Sequence, residues 1–92
     1  MWVRIDEFAF DPEHSGALIS RTRDTAASLH QGDDFRGFRL LVDHANGRAL
    51  DVSYWDSRTG ALAGEADPAT DPAGAATSRI RSNVYELCID AV

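Results

Sequence analysis

Phe35-Arg36-Gly37-Phe38-Arg39-Leu40-Leu41-Val42-Asp43 is followed by Asn46-Gly47, and then by Ala49-Leu50-Asp51-Val52-Ser53-Tyr54-Trp55. In the first run Phe38, Leu40 and Val42 alternate with Arg39, Leu41 and Asp43. In the second, Leu50, Val52 and Tyr54 alternate with Asp51, Ser53 and Trp55. A period of two over β-branched and aromatic residues predicts strands. Asn46-Gly47 between them predicts a tight hairpin, because both residues tolerate positive φ. Two antiparallel strands over 35–43 and 49–55 therefore anchor the reading of everything else.

Upstream, Met1–Phe10 alternates again, with Val3, Ile5 and Ala9 against Arg4, Asp6, Phe8 and Phe10. Asp11-Pro12-Glu13 combines an N-cap residue, a proline suited to the first helical position and an acidic first turn. Leu18, Thr22, Ala26 and Leu29 follow at helical spacing, with Ile19 widening the stripe and Arg21, Arg23 and Asp24 opposite. This predicts an amphipathic helix ending near Gln31-Gly32, where glycine suits the C′ position. Downstream, Asp56 and Ser57 can cap a second helix through Ala61, Leu62 and Glu65. Asp67-Pro68 and Asp71-Pro72 interrupt it, so a short broken helix and an alanine- and glycine-rich loop are expected. Arg79–Ile89 reads as the last strand.

The order β-α-β-β-α-β is the split βαβ arrangement of ferredoxin-like α+β folds, built on a four-stranded antiparallel sheet. Right-handed crossovers put both helices on one face. The other face carries large apolar members, and a lone copy exposing them would aggregate or pair. Residues 1–92 are expected to form a single domain, with a homodimer as the working unit.

Composition narrows the partners. A chain of 92 residues leaves roughly 40% of its unfolded surface exposed, which adds to the case for self-association. A hydrophobic share of 43% fits a globular chain rather than a disordered one. The net charge of −6 argues against nucleic acid, which needs clustered cations. All nine basic residues are arginine, which fits either guanidinium recognition of anions or codon bias in a GC-rich genome. The single cysteine, Cys88, cannot form an internal disulfide and lies in an apolar run, as a small core residue would. No run is long enough to span a membrane and no secretory leader is evident, so a cytoplasmic protein without membrane contact is expected.

Phe35–Asp43, then Asn46-Gly47-Arg48-Ala49-Leu50, then Tyr54-Trp55-Asp56-Ser57, resemble the dimeric α/β-barrel superfamily. More narrowly they resemble its antibiotic-biosynthesis-monooxygenase-like group, whose members carry Gly-Phe-x-Gly before the hairpin and Trp-Asp/Glu-Ser after it. Val84-Tyr85-Glu86-Leu87 is similar to that group's last strand. The resemblance implies two sheets packed face to face into a barrel, with a cavity between each sheet and its helices or at the barrel mouth. Some members of the group oxidise polycyclic phenols to quinones without a cofactor, others degrade haem, and many have no known activity, so the resemblance implies one of these three cases.

The sequence departs from both catalytic patterns. In the quinone-forming members the third-strand tryptophan acts with an asparagine four residues earlier and a tyrosine six later. Trp55 is present, but those positions hold Asp51 and Ala61. Haem degraders use an asparagine on the first strand with a tryptophan and a histidine on the second helix. Here the first strand offers Asp6, and the second helical region has neither ring, so haem degradation is not expected.

Trp55, Ser53 and Asp51 share one strand face. If that face lines the cavity, Trp55 can stack an aromatic ligand while Asp51 orients or deprotonates a phenol, because burial raises a carboxyl's pKa into the range of a base. Otherwise Trp55 is a core anchor and Asp51 is solvated or paired with arginine. Arg39 and Arg4, with Asp6 on the Arg4 face, either bind an anionic ligand or pair across strands with Asp51 or Asp6. Asn83 and Tyr85 share a face of the last strand and either line a pocket or lie at a dimer edge. His14, His30 and His44 lack ligand spacing, so no metal site is expected. No nucleophile elbow, P-loop or Rossmann glycine pattern occurs.

Three functions fit: a cofactor-independent monooxygenase acting on a small aromatic or phenolic compound through Trp55 and Asp51, a non-catalytic barrel that binds a small hydrophobic metabolite or regulates a partner, and a structural dimer.

Overall fold

The structure, a computed structural model, describes residues 1–29, 33–63 and 78–91. Strand β1 spans Trp2–Ala9, helix α1 Ser15–Leu29, β2 Phe35–Asp43, β3 Arg48–Trp55, helix α2 Arg58–Ala63 and β4 Ser78–Glu86. The strands form one antiparallel sheet in the order β2-β3-β1-β4. This is the ferredoxin-like α+β arrangement that the alternation and the hairpin predict. No helix among the described residues is long and apolar enough to cross a membrane.

Local chemistry sets the element ends. Asp11 caps a short 3-10 turn, Pro12–His14, by accepting the Glu13 amide at 3.0 Å, and α1 continues from it. In the β2–β3 turn, Asp43 accepts hydrogen bonds from the Asn46 amide and side chain at 3.3 and 2.8 Å. Those bonds hold the Asp43 carboxyl below its ordinary pKa. Gly47 takes φ +64, and a Cβ there would run into the Phe10 carbonyl. Ser57 caps α2, its Oγ accepting the Gly60 amide at 3.0 Å, while Asp56 is ion-paired to Arg36 instead.

Register divides the sheet into two faces, since residues paired across antiparallel strands point the same way. Trp2, Arg4, Asp6 and Phe8 share a face with Trp55, Ser53, Asp51 and Ala49, and with Phe38, Leu40 and Val42. Both helices cover this face. Under α1, Leu18 packs with Phe10 and Ala49, flanked by Leu40 and Val42. Under α2, Ala61 packs with Phe35 and Trp55, flanked by Trp2, Phe38 and Val84. The opposite face carries Val3, Ile5, Leu50, Val52, Tyr54, Leu41 and Tyr85 with no helix over it among the described residues. There Leu41 is 52% exposed and Tyr85 50%.

Three expectations are corrected. The last strand ends at Glu86 rather than Ile89, because Glu86 pairs with Trp2, the first residue of β1, and past it the Leu87 amide donates to the carbonyl of Met1, where β1 has already ended, at 2.9 Å. Cys88 is consequently exposed rather than a core residue, and Ile89 is 83% exposed. Arg39 cannot pair with Asp51 or Asp6, because it projects from the opposite face of the sheet. The predicted helix end at Gln31-Gly32, and the breaks at Asp67-Pro68 and Asp71-Pro72, lie outside the described residues.

Candidate functional site

Between the two apolar clusters, the helix-covered face is polar. Its members are Arg4 and Asp6 on β1, Asp51 and Ser53 on β3, and Ser82 on β4, paired with Asp6. The period of two dictates this grouping, since Arg4 lies opposite Ser53 and Asp6 opposite Asp51.

Arg4 is the hub. Its Nε donates to Asp6 Oδ2 at 3.0 Å and its Nη2 to Asp6 Oδ1 at 3.3 Å. Nη2 also donates to Ser82 Oγ at 2.8 Å, and Nη1 to the carbonyls of Ala61 and Leu62 in α2 at 3.2 and 3.4 Å. A planar fork with several donors suits this work better than an ammonium would. Both side chains of the pair are buried, so removing Arg4 leaves the Asp6 carboxylate without its counter-charge, at a cost of about 3–5 kcal/mol.

Asp51 sits differently. Its Oδ1 is buried and has no hydrogen-bond partner. Burial, reinforced by the neighbouring Asp6 charge and opposed by Arg79, pushes its pKa up to about 7. A carboxyl poised there exchanges protons at neutral pH, as a general base must. Trp55 is 6% exposed, edge-on to Phe35 at 5.2 Å between centroids, and its Nε1 donates to Ser53 Oγ at 2.8 Å. The indole is thus packed and its polar edge satisfied.

Beside these residues an open cleft of about 240 Å³ lies between α1 and β2, lined by Ile19, Thr22, Arg23, Phe38 and Leu40. Phe38 and Leu40 are the cross-strand partners of Ser53 and Asp51, so the floor of the cleft adjoins both. Its volume falls below the roughly 300 Å³ at which typical ligand pockets begin.

Of the residues singled out in the sequence, the fold brings together Trp55, Asp51, Ser53 and Asp6. It places Arg39, Asn83 and Tyr85 on the other face. Arg39 donates to the Tyr54 hydroxyl at 3.0 Å, lies over the Tyr54 ring and lines a separate open cleft of about 550 Å³ with Gly37 and Leu87. Asn83 pairs with Ile5 and Tyr85 with Val3. In the sequence, Thr22, Phe38 and Leu40 stand out only as parts of apolar stripes. Their shared cleft depends on how α1 crosses β2, which no local pattern encodes.

This class of architecture is shared with solved structures across essentially the whole chain. One is described as an antibiotic biosynthesis monooxygenase from Deinococcus radiodurans, with TM-score 0.76, 17% identity, and coverage of 100% of this chain and 97% of that one. Another is the heme-degrader MhuD from Mycobacterium tuberculosis, with two hemes in its active site, TM-score 0.77, 23% identity and full coverage of both chains. A third is SnoaB, a cofactor-independent oxygenase from Streptomyces nogalater, with TM-score 0.72, 14% identity and coverage of 97% and 94%. At these identities the likeness establishes the fold. No protein-family model and no curated protein matches the sequence. His14 and His44 are exposed, on the turn before α1 and in the hairpin.

Proposed function

We propose that residues 1–92 act as one domain, pair with a second copy through the sheet face opposite the helices, and oxidise a small phenolic compound with molecular oxygen and no bound cofactor. The observation that carries this reading is the buried Oδ1 of Asp51, which has no hydrogen-bond partner, on the residue paired across the strands with Leu40 in the cleft floor. The ring of the ligand packs on that floor. Asp51 takes the phenolic proton, leaving the electron pair on oxygen and an electron-rich phenolate that can reduce oxygen directly. One oxygen atom joins the ring to give the quinone, and the other leaves as water with the two hydrogens lost by the phenol. The ring supplies all four electrons. Fold likeness to SnoaB supports the absence of a cofactor. Trp55 works from the core in this scheme, holding Ser53 in place.

A second reading, a non-catalytic barrel that binds a small hydrophobic metabolite, is favoured by the packing of Trp55. Oxygen uptake with a panel of hydroxylated one- and two-ring aromatics separates the two. Turnover that is lost in Asp51→Asn supports the enzyme. A rise in Tm with some panel member but no oxygen uptake supports the binder, since a ligand selective for the folded state must stabilise it. Neither uptake nor a Tm rise removes both.

A further inference from the structure

Two carboxylates face each other on the helix-covered side of the sheet, and the fold treats them unequally. Asp6 and Asp51 are paired directly across β1 and β3. Asp6 receives two hydrogen bonds from the Arg4 guanidinium, whereas Asp51 keeps a buried oxygen without any. The same guanidinium is tied to α2 through Ala61 and Leu62 and to β4 through Ser82, so its position is set from three elements. Two carboxylates this close cannot both stay charged without cost, and the arrangement decides which one gives way.

We infer that Arg4 and Asp6 are positioning residues for the proton acceptor: the Arg4 fork fixes Asp6 as the charged member opposite Asp51, so that a proton from a bound hydroxylated aromatic settles on Asp51. In that transfer the aromatic O–H bond breaks, an O–H bond forms on the Asp51 carboxylate, and the electron pair remains on the aromatic oxygen. The inference rests on the phenol-oxidising reading for its ligand, but its physical content lies in the free protein.

The charged groups around Asp51 come from each packed element. β1 contributes Asp6 and Arg4, β4 contributes Arg79, and β2 presents uncharged Leu40. From α1, Arg23 lines the cleft, and from α2 the exposed Arg58 is the only charged residue. Among the described residues, Asp6 pushes Asp51 toward the protonated form by its charge, and Arg79 opposes it.

The test is a carboxyl-carbon NMR titration of Asp6 and Asp51 in the full chain, without ligand. In the wild type a neutral-range step should appear on Asp51 alone. A step shared by both carbons, or carried by Asp6, overturns the inference. In Asp6→Asn the Asp51 midpoint should fall by one pH unit or more, a tenfold loss of proton affinity. An unmoved midpoint overturns the inference. Should Asp6→Asn fail to fold, the charge-balanced double variant Arg4→Gln/Asp6→Asn should show a fall in the same direction, smaller because the Arg4 cation goes with the Asp6 anion, and its absence is equally fatal. A purely structural role for the pair predicts a change in Tm with no change in midpoint. Because no substrate is used, failure of oxygen uptake retires the proposed reaction while leaving this result standing, and the converse holds.

Discussion

Arg79 and Arg81 stand two residues apart on β4 yet project from opposite faces of the sheet. The register slips between Glu7 and Phe8, so Arg81 pairs with Glu7, Arg79 pairs with Phe8, and Ile80 is the extra residue. A bulge of this kind re-aims the side chains beyond it. Arg81 consequently makes an ion pair with Glu7 at 3.1 Å on the bare face, while Arg79 lies over the Phe8 ring on the helix-covered face, where it acts on Asp51.

Arg79→Gln should therefore move the Asp51 titration midpoint upward from about 7, because the one cation that lowers it is removed. Arg81→Gln, on the other face, should leave it in place. The paired NMR titrations check both; equal shifts in the two variants would contradict the assignment of faces.

Stability should fall as pH rises toward neutrality. Asp51 holds its proton more tightly folded, with a pKa of about 7, than unfolded, near the usual 3.8. Between those values the folded chain binds more protons, so its stability declines by up to roughly 1.4 kcal/mol per pH unit and levels off above neutrality. Asp51→Asn, with nothing to ionise, should be the more stable protein at pH 8 and show a flatter profile. Urea denaturation from pH 4.5 to 8 measures this, and parallel wild-type and variant curves would count against it.

Gly47→Ala tests the hairpin. An alanine at φ +64 costs about 1–2 kcal/mol through its backbone conformation alone, and its Cβ meets the Phe10 carbonyl. Gly16→Ala, in α1 with open space around the added methyl, should instead be neutral or stabilising. Urea midpoints of the two variants should move in opposite directions or differ by at least that amount.

Leu41 lies opposite Leu50 on the bare face and is half exposed. If this face joins two copies, Leu41→Asp places a charge in the seam and should weaken association by tenfold or more. Sedimentation at micromolar concentration should find the wild type as two chains and the variant shifted toward one. A wild type that sediments as a single chain removes the barrel from the proposal.

Much of this was legible because period-two patterns survive folding unchanged. The spans of β2 and β3 and the Asn46-Gly47 turn follow from alternation and turn chemistry. The grouping of Asp51 with Ser53 and Trp55, and of Arg4 with Asp6, follows from the same rule. The end of β4 did not, because apolar Leu87, Cys88 and Ile89 continue a strand-like composition past the point where β1 has a residue to pair with them. The side taken by Arg79 was equally hidden, since a bulge is a property of two strands in register and neither strand encodes it alone.

Sequence alone determined the order of elements, the two-sided character of every strand and the identity of the residues sharing each side, because these depend on neighbours a few positions apart. Only the tertiary structure decided that the helices cover the side bearing Arg4, Asp6 and Asp51. That choice set which carboxyl found a guanidinium and which was buried without one. Its cause is the path of the crossovers, and a carboxyl's proton affinity depends on what those crossovers lay over it.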